Sequence, residues 1–408
     1  MPDSARIYRI QSDNDNVVLM VDRLGFHKRY RRYFTKSLIF DKMNKKLLYL
    51  LPLMMVVGCT EKVEGDDNGT VGQAPFTLSV DNEVIESDGK QVATFKITDA
   101  NGVVLTDNTE LMSKIYFKNE ATERRLARRT KTFRSVEDGE YVFSATFSGE
   151  PCENTVTITS QNRTKYEVFR KNVCLYRFTA TWCGNCPSMT EGLDRVNDWT
   201  KGRLVELDMH GAGSTYALSD GTRYVADHLV DQFNTGGFPS CVYDLDVMSE
   251  SRSYSEIEEL VFDRIADAPA TCGIKASSTF SNNQLTIQAS VKTSTGGKYD
   301  LGYALLVDNC PGGSNAIVNG QPAYEEKYNN TVLALSGNYE NLSSAAQELA
   351  KDQEKQIVDY TQTVTLPEYA KLSDCTLVVF ALKQNGNDIY IDNAVKFPLG
   401  GSVDYIYN

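Results

Sequence analysis

The chain has 408 residues, enough for two or three domains, and its 41% hydrophobic content and 11 prolines are ordinary for globular protein. Lys and Arg number 42 against 54 Asp and Glu, a net charge of −12. An acidic body of this kind argues against nucleic acid as a partner.

Residues 1–42 show no clear period and include the basic Arg29-Tyr-Arg-Arg32. Met43-Asn-Lys-Lys46 then precedes an apolar run from Leu47 to Val57 and ends at Val56-Val57-Gly58-Cys59. A positive start, a short apolar stretch and a small-residue cleavage site make 43–58 a signal peptide. The run is about half of the roughly 20 residues a spanning helix needs. Val-Val-Gly-Cys resembles the lipobox of bacterial lipoproteins, which implies that Cys59 is lipidated and becomes the first mature residue. Translation is then expected to start at Met43, with 1–42 a mis-started upstream segment. The alternative is a core helix behind a genuine N-terminal extension. Residues 1–58 carry 11 of the basic and 5 of the acidic residues, so the mature chain has a net charge of −18. Residues 59–74 are polar and acidic, and read as a flexible tether. Thr60 after the lipid-bearing cysteine favours, by resemblance to lipoprotein sorting rules, the outer membrane, on its periplasmic or cell-surface face.

Residues 75–162 alternate with period two: Tyr141, Phe143, Ala145 and Phe147 share one face. Asn101-Gly102 is a hairpin turn signal. Short strands at this spacing predict an immunoglobulin-like β-sandwich. Arg124-Arg125-Leu-Ala-Arg128-Arg129 within it is either an anion or lipid-headgroup patch or a solvated charge run.

Residues 163–270 change pattern. An apolar run from Cys174 leads into Trp182-Cys183-Gly184-Asn185-Cys186-Pro187. Pro is tolerated where a helix opens, so the order reads strand, Cys-x-x-Cys, helix. A thiol at a helix N-terminus is favoured as thiolate. Half of a zinc site is the alternative, but it needs a second ligand pair, and the chain has no other Cys-x-x-Cys or Cys/His cluster. Neither metal nor cofactor is therefore expected. Met189, Leu193 and Val196 mark one helix face, Leu204–Met209 a strand, and Val225, Leu229 and Phe233 a second helix. Gly236-Gly237-Phe238-Pro239-Ser240 enters another strand at a good site for a cis peptide. Ser253-x-x-Glu256 opens a last helix with Ile257, Leu260, Val261 and Ile265 inward.

Trp-Cys-x-x-Cys-Pro with the Phe238-Pro239 loop resembles the thioredoxin superfamily over about a quarter of the chain. The resemblance implies Cys183 as exposed nucleophile, Cys186 as resolving thiol one turn into the helix, Trp182 as shield, and Phe238 and Pro239 as contacts to substrate backbone. One departure stands out. The family's buried acid six residues before the first Cys is here Arg177, whose permanent charge cannot relay protons; it either lowers a thiol pKa or points to solvent. His210 is expected on the same sheet edge as the dithiol, either near the chemistry or as a plain loop residue.

Residues 271–408 return to strands, with Asn282-Asn283 and Asn385-Gly-Asn387 as turns. They predict a second β-sandwich with a long insertion, 308–356, carrying a helix over 343–356. Cys152, Cys174, Cys241, Cys272, Cys310 and Cys375 are scattered, and their pairing cannot be read. Lipobox and dithiol together resemble the thioredoxin-like outer-membrane lipoproteins of Bacteroides-type bacteria. The whole is expected as an α/β thioredoxin-like domain flanked by two all-β immunoglobulin-like sandwich domains. Two functions follow. One is a membrane-anchored thiol–disulfide oxidoreductase acting on cysteine-containing envelope proteins. The other is a surface binding or structural lipoprotein that uses the fold as scaffold.

Overall fold

The computed structural model describes the strands Arg6–Ile10 and Val18–Asp22 and residues 72–162, 168–312, 317–318, 321–322, 326–336, 342–386 and 388–408. The segments expected as signal peptide, 43–58, and as tether, 59–74, lie outside the described residues, Cys59 included, apart from 72–74. The first two strands pair antiparallel within a unit spanning Met1–Val63, and Glu64–Asn408 forms a second compact unit. That second unit is mostly β-sheet with three α-helices among its described residues.

Its N-terminal part is two facing sheets. One orders Thr77–Val80, Ala93–Thr98 and Thr132–Phe133; the other orders Val84–Glu86, Val156–Gln161, Gly139–Phe147 and Ile115–Asn119. Successive side chains of a strand point to opposite faces, so Phe143, Ala145 and Phe147 turn inward together. They meet Phe95, which stacks on Phe117 at 4.7 Å between ring centroids. Each fully buried Phe contributes about 1.5–3 kcal/mol. The Asn101-Gly102 turn closes with the Asp99 N–H donating to the Val103 carbonyl at 3.0 Å, with Gly102 at φ +82°. Of the four arginines, Arg124 donates to the Arg195 carbonyl and pairs with Asp198, and Arg125 lies over the Tyr116 ring. These contacts tie two of them to structure, and Arg128 and Arg129 are exposed.

The next segment follows the expected order: Val173–Thr179, α1 (Cys186–Trp199), Leu204–His210, α2 (Asp220–Phe233), Ser240–Tyr243, Val247–Ser249 and α3 (Tyr254–Asp267). Val173–Thr179 pairs parallel with Leu204–His210 and antiparallel with Ser240–Tyr243. Parallel neighbours need both faces covered. Met189, Leu193 and Val196 of α1 and Ile257, Leu260, Val261 and Ile265 of α3 cover one face. Ala226 and Leu229 of α2 cover the other, over Cys174, Tyr176, Leu207 and Met209.

One sheet takes strands from both sides of the division expected between 270 and 271. Thr331–Leu335 pairs parallel with Leu204–His210 at Asp208 and Thr331, and the sheet runs on through Gly297–Val307, Cys375–Asn385 and Asp388–Pro398. A bare edge on Leu204–His210 would leave a row of unpaired N–H and C=O groups; the added strand pairs with it at Asp208, whose N–H donates to the Asn330 carbonyl at 2.9 Å. The sheet curls until its far strand returns to its middle. The Asn172 N–H donates to Asn393 Oδ1 at 2.9 Å, the Ile391 N–H donates to the Asp244 carbonyl at 2.9 Å, and Tyr176 meets Phe380 edge-on. A four-stranded sheet, Glu354–Thr363, Gln284–Thr293, Cys272–Ser281 and Ser402–Val403, packs on its other half. Asn282 and Asn283 both take positive φ, 51° and 59°, as a two-residue hairpin of this kind requires.

The helix expected over 343–356 is absent. Gln347–Leu349 pairs with Gly297–Val307, and Glu354–Thr363 with Gln284–Thr293. Ala, Gln, Glu and Lys favour helix locally, but propensity is a weak prior that tertiary pairing overrides.

Candidate functional site

Cys183 and Cys186 are joined by a disulfide, with Cα atoms 5.5 Å apart. The other cysteines of the described residues are free thiols, and all but Cys152 are buried. Helix α1 opens at Cys186, with Pro187 in its first turn and Asn185 at the N-cap. Cys186 is therefore the first helical residue rather than one turn in, and Cys183 lies in the turn ahead of it; the Cys183 N–H donates to the Ala180 carbonyl at 3.0 Å.

Cys183 was expected exposed, and only 6% of its surface is open. The cause is packing: Ala180, Cys183 and Cys186 form a small apolar cluster against the half-buried Phe238 ring. Trp182, 48% exposed, stacks on Phe238 with centroids 5.6 Å apart and donates its Nε1 hydrogen to the Ala212 carbonyl at 3.0 Å. Phe238 reaches this position because Gly211 has no Cβ; one placed there would lie 2.4 Å from the ring. The Phe238–Pro239 bond is cis and Pro239 is buried. Trp182, Cys183, Cys186 and Phe238 thus form one apolar patch. Arg252 adds a cation at its rim, with its Nη1 donating to Asn185 Oδ1 at 2.9 Å.

Beneath α1 the sheet face is charged. Arg177 does not point to solvent. It is buried, its Nε donates to Asp208 Oδ1 at 2.8 Å, and its other guanidinium nitrogens reach Asp208 Oδ2 and Thr190 Oγ1. Thr190 Oγ1 donates to the Cys186 carbonyl at 3.2 Å, which connects Arg177 to the dithiol helix. Burial still raises the Asp208 carboxyl above its ordinary range, against the pull of Arg177. Glu206, two residues earlier on the same face, is pushed up to about 8 by burial first and by the neighbouring Asp208 second. Burial thus favours the protonated form of a carboxyl on this face, supplied by the neighbouring strand rather than by position 177. Sequence reasoning missed it. The available signal was the i, i+2 spacing of two acids within an otherwise apolar strand, which puts both on one face.

His210 ends the Leu204–His210 strand and is 1% exposed, not a loop residue. Burial, with Arg177 adding, lowers its pKa to about 3, so it is neutral. Its ring meets Tyr216 and Tyr328 edge-on. Among the described residues no group of three or more His, Cys, Asp or Glu side chains could hold a metal ion, and no helix is long and apolar enough to cross a membrane.

No protein-family model matches the chain, and no curated protein matches it. Solved structures similar to it include HBP35 of Porphyromonas gingivalis, at 19% identity over 57% of this chain and 77% of that one, with a TM-score of 0.43. A protein from Agrobacterium tumefaciens is similar at 17% identity over 60% of this chain and 100% of that one, with a TM-score of 0.35. Values this low leave the geometry of the site to carry the functional reading.

Proposed function

We propose that the chain is a membrane-anchored thiol–disulfide oxidoreductase of the cell envelope, attached through lipid on Cys59, of the kind of thioredoxin-like outer-membrane lipoprotein that its lipobox and dithiol resemble. The observation that supports this best is the Cys183–Cys186 disulfide at the start of α1, bordered by an apolar aromatic patch. A partner thiolate attacks Cys183 Sγ, the Cys183–Cys186 bond breaks, and Cys186 leaves as thiolate and takes up a proton. A second partner thiolate then attacks the partner sulfur of the mixed disulfide and releases Cys183. The partner loses two electrons and the dithiol gains them; reduction of a partner disulfide runs the same steps backwards. Trp182 and Phe238 give an extended partner segment an apolar surface to lie on, and Pro239 next to it is buried.

The second reading, a surface binder or structural lipoprotein on this scaffold, is favoured by the 6% exposure of Cys183, which limits attack unless the patch opens. A non-reducing gel separates the two. In cells carrying Cys186→Ala, Cys183 is left without its resolving thiol, and mixed disulfides with envelope proteins accumulate. Pro239→Ala added to it changes which partners are trapped. Banding identical to that of a Cys183→Ala/Cys186→Ala control removes the oxidoreductase reading.

A further inference from the structure

The exchange chemistry makes no use of His210, yet the residue stands directly behind the dithiol loop. Its Nδ1 lies 2.9 Å from Ser214 Oγ. The same oxygen accepts the Thr181 N–H at 3.1 Å and lies 3.3 Å from Thr181 Oγ1, which itself accepts the Thr215 N–H at 3.1 Å. Three residues before Thr215, the Ala212 carbonyl holds Trp182 Nε1. The loop after His210 therefore grips both residues that precede Cys183.

Counting protons assigns the donors. Ser214 has one hydroxyl proton and already accepts from Thr181 N–H. If that proton goes to Thr181 Oγ1, the serine oxygen is an acceptor toward His210, so Nδ1 carries the imidazole hydrogen and Nε2 is bare. Nε2 is buried with no hydrogen-bond partner in either tautomer, so the assignment rests on the Ser214 hydroxyl, whose one proton is directed at Thr181 Oγ1. The ring stays neutral across the physiological range, so this arrangement persists.

We propose that His210 is a positioning residue for the dithiol: through Ser214 it fixes Thr181, and so holds Cys183 in the geometry in which the ring with Cys186 closes. This rests on the reading of Cys183 and Cys186 as a redox couple. A loop held in its closed-ring geometry needs less ordering when the disulfide forms, and the equilibrium shifts toward disulfide accordingly.

The test uses the full chain equilibrated in glutathione buffers, with the oxidised fraction of Cys183–Cys186 read by mass-tagged alkylation and the Thr181 amide followed by hydrogen exchange. His210→Leu and Ser214→Ala are each expected to lower the oxidation constant about two- to tenfold, the equivalent of one hydrogen bond, and to speed Thr181 exchange. Ser214→Ala leaves the packing of His210 in place, so it reports even where His210→Leu folds poorly. His210→Asn, which keeps an N–H donor near the Nδ1 position, is expected to restore both readouts. Unchanged values in Ser214→Ala overturn the inference, and so does His210→Asn behaving as His210→Leu. If the wild-type chain exchanges with no partner thiol while both readouts shift as described, the oxidoreductase reading falls and the positioning role stands.

Discussion

Gly211→Ala tests whether the aromatic patch is held together by the close approach of Phe238 to a bare backbone. The added Cβ would lie 2.4 Å from Phe238 Cε2 and 2.6 Å from Cζ, where ordinary contact is 3.4–4 Å. The ring must therefore retreat by about 1 Å, enough to forfeit much of its dispersion contact. Phe238 is confined by the Trp182 ring and by the disulfide. Retreat breaks the stack, worth about 0.5–1.5 kcal/mol. Overpacking in a closed core costs about 1–3 kcal/mol, but half-buried Phe238 can swing toward solvent, so the lower part of that range is expected here. Gly302→Ala supplies the comparison. Its Cβ would lie 2.2 Å from Phe380, a fully buried ring with no exit, and its cost belongs at the top of the range or beyond. Urea unfolding measures both variants. Trp182 fluorescence in a Trp199→Phe background reports the stack, and alkylation of reduced Cys183 should quicken as its cover lifts. Gly211→Ala with wild-type stability and an unmoved Trp182 signal would refute the packing argument.

Arg177→Met strands Asp208, a fully buried carboxylate, without its guanidinium; the expected loss is about 3–5 kcal/mol, and thermal unfolding should show Asp208→Leu in the same chain recovering most of it. Glu206 titrates at about 8 in the folded chain against an ordinary 4.5, so its contribution to stability is fully present below the lower value and is lost as pH rises through the higher one. Glu206→Gln should flatten that decline; a stability–pH profile as steep as wild type between pH 4.5 and about 8 counts against the assignment. Cys59→Ala should leave the chain unprocessed and unanchored, whereas the mature wild-type N-terminus should be a lipidated Cys59 by mass spectrometry. Any residue of 1–42 on the mature protein would contradict that expectation.

Features whose cause lies within a few neighbouring residues were legible from the chain. Pro187 after the Cys-x-x-Cys marks the start of α1, and Met189, Leu193 and Val196 select its buried face. Two consecutive asparagines, 282 and 283, supply the left-handed conformations their hairpin needs. The dithiol was legible because its residues are contiguous and its chemistry depends on their spacing. Other features depend on partners far away in sequence. Residues 343–356 have helix-forming composition, yet they pair as strands with Gly297–Val307 and Gln284–Thr293. The parallel pairing of Thr331 with Asp208 merges two regions that composition separates. The surroundings of the dithiol are decided in the same way. Arg177, Asp208 and Thr190 meet from two strands and a helix, and Ser214 joins His210 to Thr181 across a loop. Whether Cys183 is open or covered depends on a Phe238 ring that fits only because Gly211, on another element, carries no side chain. The sequence alone determined where the paired thiols sit, because turn and helix-start chemistry act over a few residues. The tertiary structure decided how those thiols are covered, charged and held, because burial and pairing depend on which distant segments the curled sheet brings together.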